Sequence, residues 1–333
     1  MRYRPEAELK FILCNSVPSN GIERWAQQLL EGRHRHDVLE GYLRQIEEDE
    51  GIDSVGYGGF PNIVGEMELD ASFMNGDNRV VGAVAAVKNF LPIRIARRLM
   101  EKGPHALLVG AGAERFARDC GLLAEPTLSP AQHQRWERDI KPILENQGTM
   151  SLIELIPRSA PPPTCTFDTV VMVASDGRGL SCANSTSGWP WKHPGRLGDV
   201  PVPGAGFYVD SRYGWCGCTH VGEMAMRSGS ARYVVSQLES GKDVREAVGH
   251  AITDLVSLTG GLIGGVTVHA VDRDGNARVV ALNISEAQHY WYWNEMMPQA
   301  ERRRAVKYHL FAAEDGLQIA EPIPRGSNGL AND

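Results

Sequence analysis

Two hairpin patterns in the second half of the chain limit what it can fold into. In the first, VVMVA from Val170 runs through SDGRG into LSCANS from Leu180. In the second, VTVHAV from Val266 runs through DRDGNA into RVVALN from Arg278. Asp-Gly between two strand-like runs is a strong hairpin signal, because glycine reaches the positive φ that a tight turn needs. Between the hairpins, Ser230 to Glu239 and Asp243 to Leu255 read as helices. Strand pairs separated by helices fit two sheets stacked face to face with helices outside.

The first half is more mixed. LKFILC (Leu9 to Cys14) reads as a buried strand. Asn20 and Glu23 have capping-box spacing, ahead of a helix with Ile22, Trp25, Ala26, Leu29 and Leu30 on one face. Asp37 opens a second helix, with Leu39, Leu43 and Ile46 aligned. GEMELDASFMNG reads as a short strand with a turn at Asn75-Gly76. The segment GAVAAVKNF from Gly82 is open between helix and strand, since Ala favours the one and Val the other. Pro92 suits the first turn of a helix that ends at Gly103-Pro104. HALLVG is a strand candidate, and Ala111 to Cys120 reads as helical. A helix from Gln132 to Ile140 should stop at Pro142. The stretch from Asn146 to Cys165 (NQGTMSLIELIPRSAPPPTC) reads as a loop with little order.

Bulk properties exclude several functions. Of 333 residues, 42% are hydrophobic and 23% charged, which is ordinary for a globular protein, and the net charge is -7. The one basic run, ERRRAVK from Glu301, is too small for a nucleic-acid footprint. No run of apolar residues is long enough for a membrane span. Six cysteines without CxxC spacing read as free thiols in a reducing cytoplasm. Cys216 and Cys218 would share a strand face, but two thiols make a poor metal site. GYGGFPN lacks the Lys-Ser/Thr ending of a phosphate loop. The expectation is a cytoplasmic protein that uses no metal and no cofactor and binds neither nucleic acid nor membrane.

The chemistry-bearing residues cluster between Cys165 and Arg227. Asp168-Thr169 lies where the Pro-rich loop stops and the apolar run TVVMVA begins. Thr186 follows in NSTSG, Arg196 and Asp199 in GRLGD, and Thr219 and His220 in CTHVGE. A threonine hydroxyl is a weak nucleophile until a base activates it, and an N-terminal amine can be that base. An internal Thr169 has no free amine, and its own amine could serve as that base only if the Asp168–Thr169 bond were first broken. Arg196 can grip a carboxylate through its planar fork, and Asp199 can accept from an α-ammonium. Singly, each residue has a plainer reading: a β-branched strand start, a turn threonine, a surface ion pair, an exposed histidine.

Taken together, DT before VVMV, then TSG, then GRLGDVPVPGAG, resemble the glycosylasparaginase branch of the N-terminal-nucleophile hydrolases. The resemblance extends upstream through SVGYGGFPN, GEMELDASFMNG and PHALLVGAGAERFA, and covers roughly Asn15 to Asn283. It implies one four-layer αββα sandwich over residues 1–333, self-cleaved into 1–168 and 169–333. It implies that Thr169 is the nucleophile and that Thr186 tunes it. Thr219 and the backbone N–H of His220 would form the oxyanion site, and Arg196 and Asp199 would hold an amino-acid head group. The implied substrate is a small asparagine derivative, with N4-(β-N-acetylglucosaminyl)-L-asparagine as the family's own. The implied assembly is a homodimer of cleaved units. The isoaspartyl peptidase/asparaginase branch shares GRxGD but usually has Gly before its nucleophile, where this chain has Asp168. An uncleaved, non-enzymatic relative is the other alternative. This chain departs from the pattern at four places: Phe167 for a usual His, Val17 for a Trp, Phe60 in the GG-x-P turn, and His220 for a Gly. Val17, Phe60 and His220 suggest a leaving amine smaller or more apolar than glucosamine.

Overall fold

The computed structural model describes residues 9–15, 21–146, 148–159, 169–313 and 316–320. The first half contributes β1 (Lys10–Asn15), α1 (Glu23–Leu30), α2 (Arg35–Glu48), β2 (Leu69–Asn75), β3 (Val80–Val87), α3 (Ile93–Lys102), β4 (Leu107–Val109) and α4 (Gly110–Asp119). Three short helices follow: α5 (Pro130–Asp139), α6 (Lys141–Glu145) and α7 (Leu152–Ser159). The second half contributes β5 (Val170–Asp176), β6 (Leu180–Thr186), β7 (Phe207–Asp210), β8 (Gly214–His220), α8 (Gly222–Ser228), α9 (Ser230–Glu239) and α10 (Val244–Ser257). It ends with β9 (Val266–Asp272), β10 (Ala277–Leu282), β11 (His289–Asn294), β12 (Glu301–Arg304), β13 (Val306–Ala313) and β14 (Gly316–Ala320).

The strands form two sheets, ordered β12-β11-β1-β5-β6-β2-β3-β4 and β14-β13-β10-β9-β8-β7. Both expected hairpins are present, as β5·β6 and β9·β10. Alternation along each strand sorts side chains into layers. On the outer face of the first sheet, Ile12, Phe73, Met172 and Ala183 pack with residues of α1 to α4 such as Leu29, Tyr42 and Leu99. On the outer face of the second, Cys216, Cys218 and Val268 pack with α9 and α10 through Val234, Val248 and Ile252. Between the sheets lie Leu13, Val171, Val173, Phe207, Trp215 and Val271. The result is the four-layer αββα sandwich. β1 and β2 flank β5 and β6, so strands from before and after Thr169 interleave in one sheet. That order places the start of β5 in the middle of the first sheet.

Several boundaries differ from expectation. Asn20 lies outside the described residues, and the capping position of α1 is Ile22, with no side-chain cap. Glu23 therefore opens the helix instead of sitting at its third position. The second helix starts at Arg35, two residues before Asp37, because the His34 ring accepts from His36 N–H and caps it. GAVAAV resolves as strand β3, where Val80 and Val81 extend the β-favouring run and β2 supplies a partner. The helix before Pro142 stops at Asp139, and Pro142 itself falls in the first turn of α6, where its missing N–H costs nothing. The stretch from Asn146 to Cys165 is not all loop: α7 forms within it. Leu152, Leu155 and Ile156 pack with Phe60, Ile63, Ile140 and Trp191, and this tertiary contact outweighs the nearby prolines. Among the described residues no helix is long and apolar enough to cross a membrane.

Candidate active site

Thr169 directly precedes β5, is buried, and faces its neighbour β6. Its Oγ1 donates to Thr186 Oγ1 at 3.1 Å. Thr186 ends β6 and also accepts from Gly188 N–H at 3.0 Å. The two hydroxyls that the sequence singled out are thus in direct contact. Asp168 lies outside the described residues, as do Val17 and Phe167.

The backbone of Thr169 is held by a residue that the sequence reading had not assigned a role. Asn15, at the end of β1, donates from Nδ2 to Thr169 O at 2.6 Å and accepts from Val171 N–H at 2.9 Å. It is fully buried and lies 154 positions away in sequence. One amide therefore brackets the residue that begins β5.

The loop after β6 brings in the cations. Gly188 has φ +78, and a Cβ there would lie 3.1 Å from Lys192 Nζ and 3.4 Å from Arg196 Nη1. Glycine is needed both for the turn and for this close approach. Lys192 is buried and donates from Nζ to Glu68 O at 2.8 Å. Burial lowers its pKa; Asp70 opposes that shift, and Arg196 adds to it. Nothing in the loop string GWPWKHPG marks this lysine out beforehand.

Arg196 and Asp199 are adjacent but do not form an ion pair with each other. Arg196 pairs with Glu223 in the first turn of α8, through Nε at 3.0 Å and Nη2 at 2.9 and 2.8 Å. Asp199 is buried beneath, and its Oδ2 has no hydrogen-bond partner among the described residues. Burial pushes the Asp199 carboxyl up to about 7; its own backbone N–H and Arg196 pull it back, while Glu223 and Asp70 add to the rise. A buried carboxylate in this state gains from an incoming cation, which would satisfy Oδ2 and favour ionisation. Gly222 makes the site compact, since a Cβ there would overlap Asp199 Oδ1 at 2.5 Å. The Gly222-Glu223 turn thus contacts both halves of the candidate head-group receptor.

Thr219 and His220 end β8, whose strand packs across the inter-sheet space from β5. Both are buried. Thr219 Oγ1 lies 2.9 Å from His220 Nδ1, and the carbonyl of His220 accepts from the Trp189 indole at 3.3 Å. His220 adopts φ +81, in the left-handed region that favours glycine.

Phe60 does not stand free in the site. Its ring packs edge-on against Trp191 at 5.2 Å and lies beneath the Arg135 guanidinium at 4.4 Å. Behind β6, on the face opposite Thr186, the buried Glu47 accepts from Ser185 Oγ at 2.6 Å and Ile93 N–H at 3.0 Å. Burial pushes its carboxyl up to about 8, against the pull of those two hydrogen bonds.

The four-layer αββα sandwich is the fold of the N-terminal-nucleophile hydrolases. Comparison with known proteins narrows the class. The sequence profile described as asparaginase matches residues 18–300. The chain is 34% identical over 244 residues to the N(4)-(Beta-N-acetylglucosaminyl)-L-asparaginase of Elizabethkingia miricola, covering 71% of this chain and 66% of that enzyme. It is 36% identical over 257 residues to the isoaspartyl peptidase/L-asparaginase of Mus musculus, covering 75% of each. It is 32% identical over 271 residues to the plant-type L-asparaginase of Pyrococcus furiosus, covering 80% of this chain and 85% of that enzyme. The chain belongs to the asparaginase family of amidohydrolases.

Proposed function

We propose that this chain hydrolyses the side-chain amide of N4-substituted asparagine, with Thr169 as an N-terminal nucleophile released by self-cleavage after Asp168. The observation that carries the reading is the 3.1 Å hydrogen bond from Thr169 Oγ1 to Thr186 Oγ1, with Gly188, which donates to Thr186, close to the Arg196 guanidinium. In the precursor, the Thr169 hydroxyl attacks the carbonyl of Asp168, and the peptide nitrogen leaves as the new α-amine. Water then hydrolyses the resulting ester. In the cleaved protein that amine, with an ordinary pKa of about 7.7–8.0, takes the Thr169 hydroxyl proton. Oγ1 attacks the amide carbon while Arg196 and Asp199 hold the α-carboxylate and α-ammonium. Thr219 Oγ1 and the His220 N–H donate to the developing oxyanion. The protonated amine returns its proton to the leaving nitrogen, and water then hydrolyses the acyl-threonine ester to release aspartate.

The proposal includes a homodimer of cleaved units in the cytoplasm. Isoaspartyl peptidase/L-asparaginase activity is the second reading, favoured by the names of relatives such as the mouse enzyme. A panel of L-asparagine, N4-(β-N-acetylglucosaminyl)-L-asparagine, N4-alkyl asparagines and a β-aspartyl dipeptide separates the two. Aspartate release ranked by kcat/KM should be highest for an N4-substituted asparagine with a small or apolar amine. A β-aspartyl dipeptide ranking first would establish the second reading, and release from none of them would overturn both.

A further inference from the structure

His220 carries an inference that deepens the functional reading above and rests on it. Its backbone sits at φ +81, which a residue with a Cβ rarely adopts and which glycine adopts freely. Strain of this kind persists only where the surroundings enforce it. Here the ring is buried, its carbonyl is tied to the Trp189 indole, and Nδ1 is 2.9 Å from Thr219 Oγ1.

A threonine hydroxyl has one proton and two lone pairs. If Thr219 Oγ1 donates to Nδ1, that proton is spent and the hydroxyl can only accept. If Nδ1–H donates to Oγ1, the hydroxyl proton is free. Only the second arrangement lets Thr219 donate to an oxyanion. We propose that His220 is a positioning residue: its Nδ1–H donates to Thr219 Oγ1 and turns the hydroxyl proton towards the reacting carbonyl oxygen. Without the ring, the hydroxyl is a free rotor, and a donor that must reorient contributes less than one already in place. The contribution arises where charge develops, so it belongs to kcat and not to KM.

The test is steady-state kinetics on wild type, His220→Gly, His220→Asn, Thr219→Val and the Thr219→Val/His220→Gly double variant. Each is first shown to be cleaved by intact mass, and L-asparagine and an N4-alkyl asparagine serve as substrates. Glycine suits φ +81, so His220→Gly is expected to fold. Its kcat should fall about 10- to 100-fold with KM within about threefold. Asparagine tolerates left-handed backbone and can donate from Nδ2, so His220→Asn should recover kcat to within about fivefold of wild type. Thr219→Val and the double variant should have equal kcat, because His220 acts through the hydroxyl.

An unchanged kcat in His220→Gly, a change confined to KM, or losses that multiply in the double variant would each overturn the inference. If Thr219→Val slows the reaction and His220→Gly does not, the inference alone falls. If Thr219→Val leaves kcat unchanged, the oxyanion assignment falls and takes the inference with it. Cleaved wild type that hydrolyses neither of these, nor N4-(β-N-acetylglucosaminyl)-L-asparagine, nor a β-aspartyl dipeptide, removes the functional reading and the inference together.

Discussion

Asn15 offers a direct test of how the site is held. Replacing it with leucine keeps roughly the same shape and removes its side-chain hydrogen bonds to the Thr169 and Val171 backbone. Those bonds go to Thr169 O at 2.6 Å and Val171 N–H at 2.9 Å, and Asn15 is completely buried. Each buried backbone group left without a partner costs about 1–3 kcal/mol. Two of them give about 2–6 kcal/mol, and the apolar gain of a buried leucine offsets about 1–2 kcal/mol. The expected net loss of folding stability lies between about 0 and 5 kcal/mol, centred near about 2.5 kcal/mol, read as a lower urea midpoint with an unchanged slope. Catalysis should suffer as well, because Asn15 holds the peptide of Thr169, the proposed nucleophile. Displacement of a reacting group by about 1 Å costs on the order of 100-fold in rate. Urea titration and kcat on the same preparation check both effects. A variant that matches wild type in midpoint and kcat would refute the bracketing role.

Two further predictions use the cations and the buried carboxyl. Arg196→Ala should raise KM for the cleaved protein by a factor corresponding to about 2–5 kcal/mol, while self-cleavage proceeds, since the precursor has no free α-carboxylate to grip; an unchanged KM would remove Arg196 from the head-group site. Glu47 has its folded-state carboxyl pushed from the ordinary 4.5 to about 8, so the folded protein keeps a proton that the unfolded chain has lost, and stability falls as pH rises through that interval. Glu47→Gln, which keeps an acceptor for Ser185 and Ile93, should match wild type near pH 4 and exceed it by about 3–5 kcal/mol near pH 9. A difference in urea midpoint that does not change with pH would count against this.

Much of the site was legible because its parts lie within short strings. Thr169, Thr186, Arg196, Asp199, Thr219 and His220 all fall in one stretch of the chain, each at the end of a strand or in the loop beside it. The hairpins were legible for a similar reason, since Asp-Gly turns are local signals. What the sequence did not reveal depends on contacts across the chain. Asn15 becomes meaningful only once β1 lies beside β5, an adjacency between strands far apart in sequence. Glu223 reads as an ordinary acidic residue in a first helical turn, a place that favours acids anyway, until the fold sets it against Arg196. Helix α7 was hidden because Pro157 and the prolines beyond it argue for a loop, while its reason for forming is the packing of Leu152 and Leu155 on Phe60 and Trp191. From the sequence, His220 reads only as a departure that bears on the leaving group. Its backbone lies in the left-handed region that glycine adopts freely, and its ring bond to Thr219 is visible only in three dimensions.

The central claim is that the nucleophile is a threonine with a free amine. The most direct measurement is the intact mass of the purified protein together with N-terminal sequencing of its smaller fragment, on a preparation that releases aspartate from an asparagine amide. The account predicts two fragments that together make up the 36.5 kDa chain, with the smaller beginning Thr-Val-Val-Met-Val at Thr169. A Thr169→Ala preparation run alongside should stay as one chain and release nothing. A wild-type protein that remains a single intact chain while hydrolysing its substrate would contradict the account, and so would a new N-terminus at any other residue.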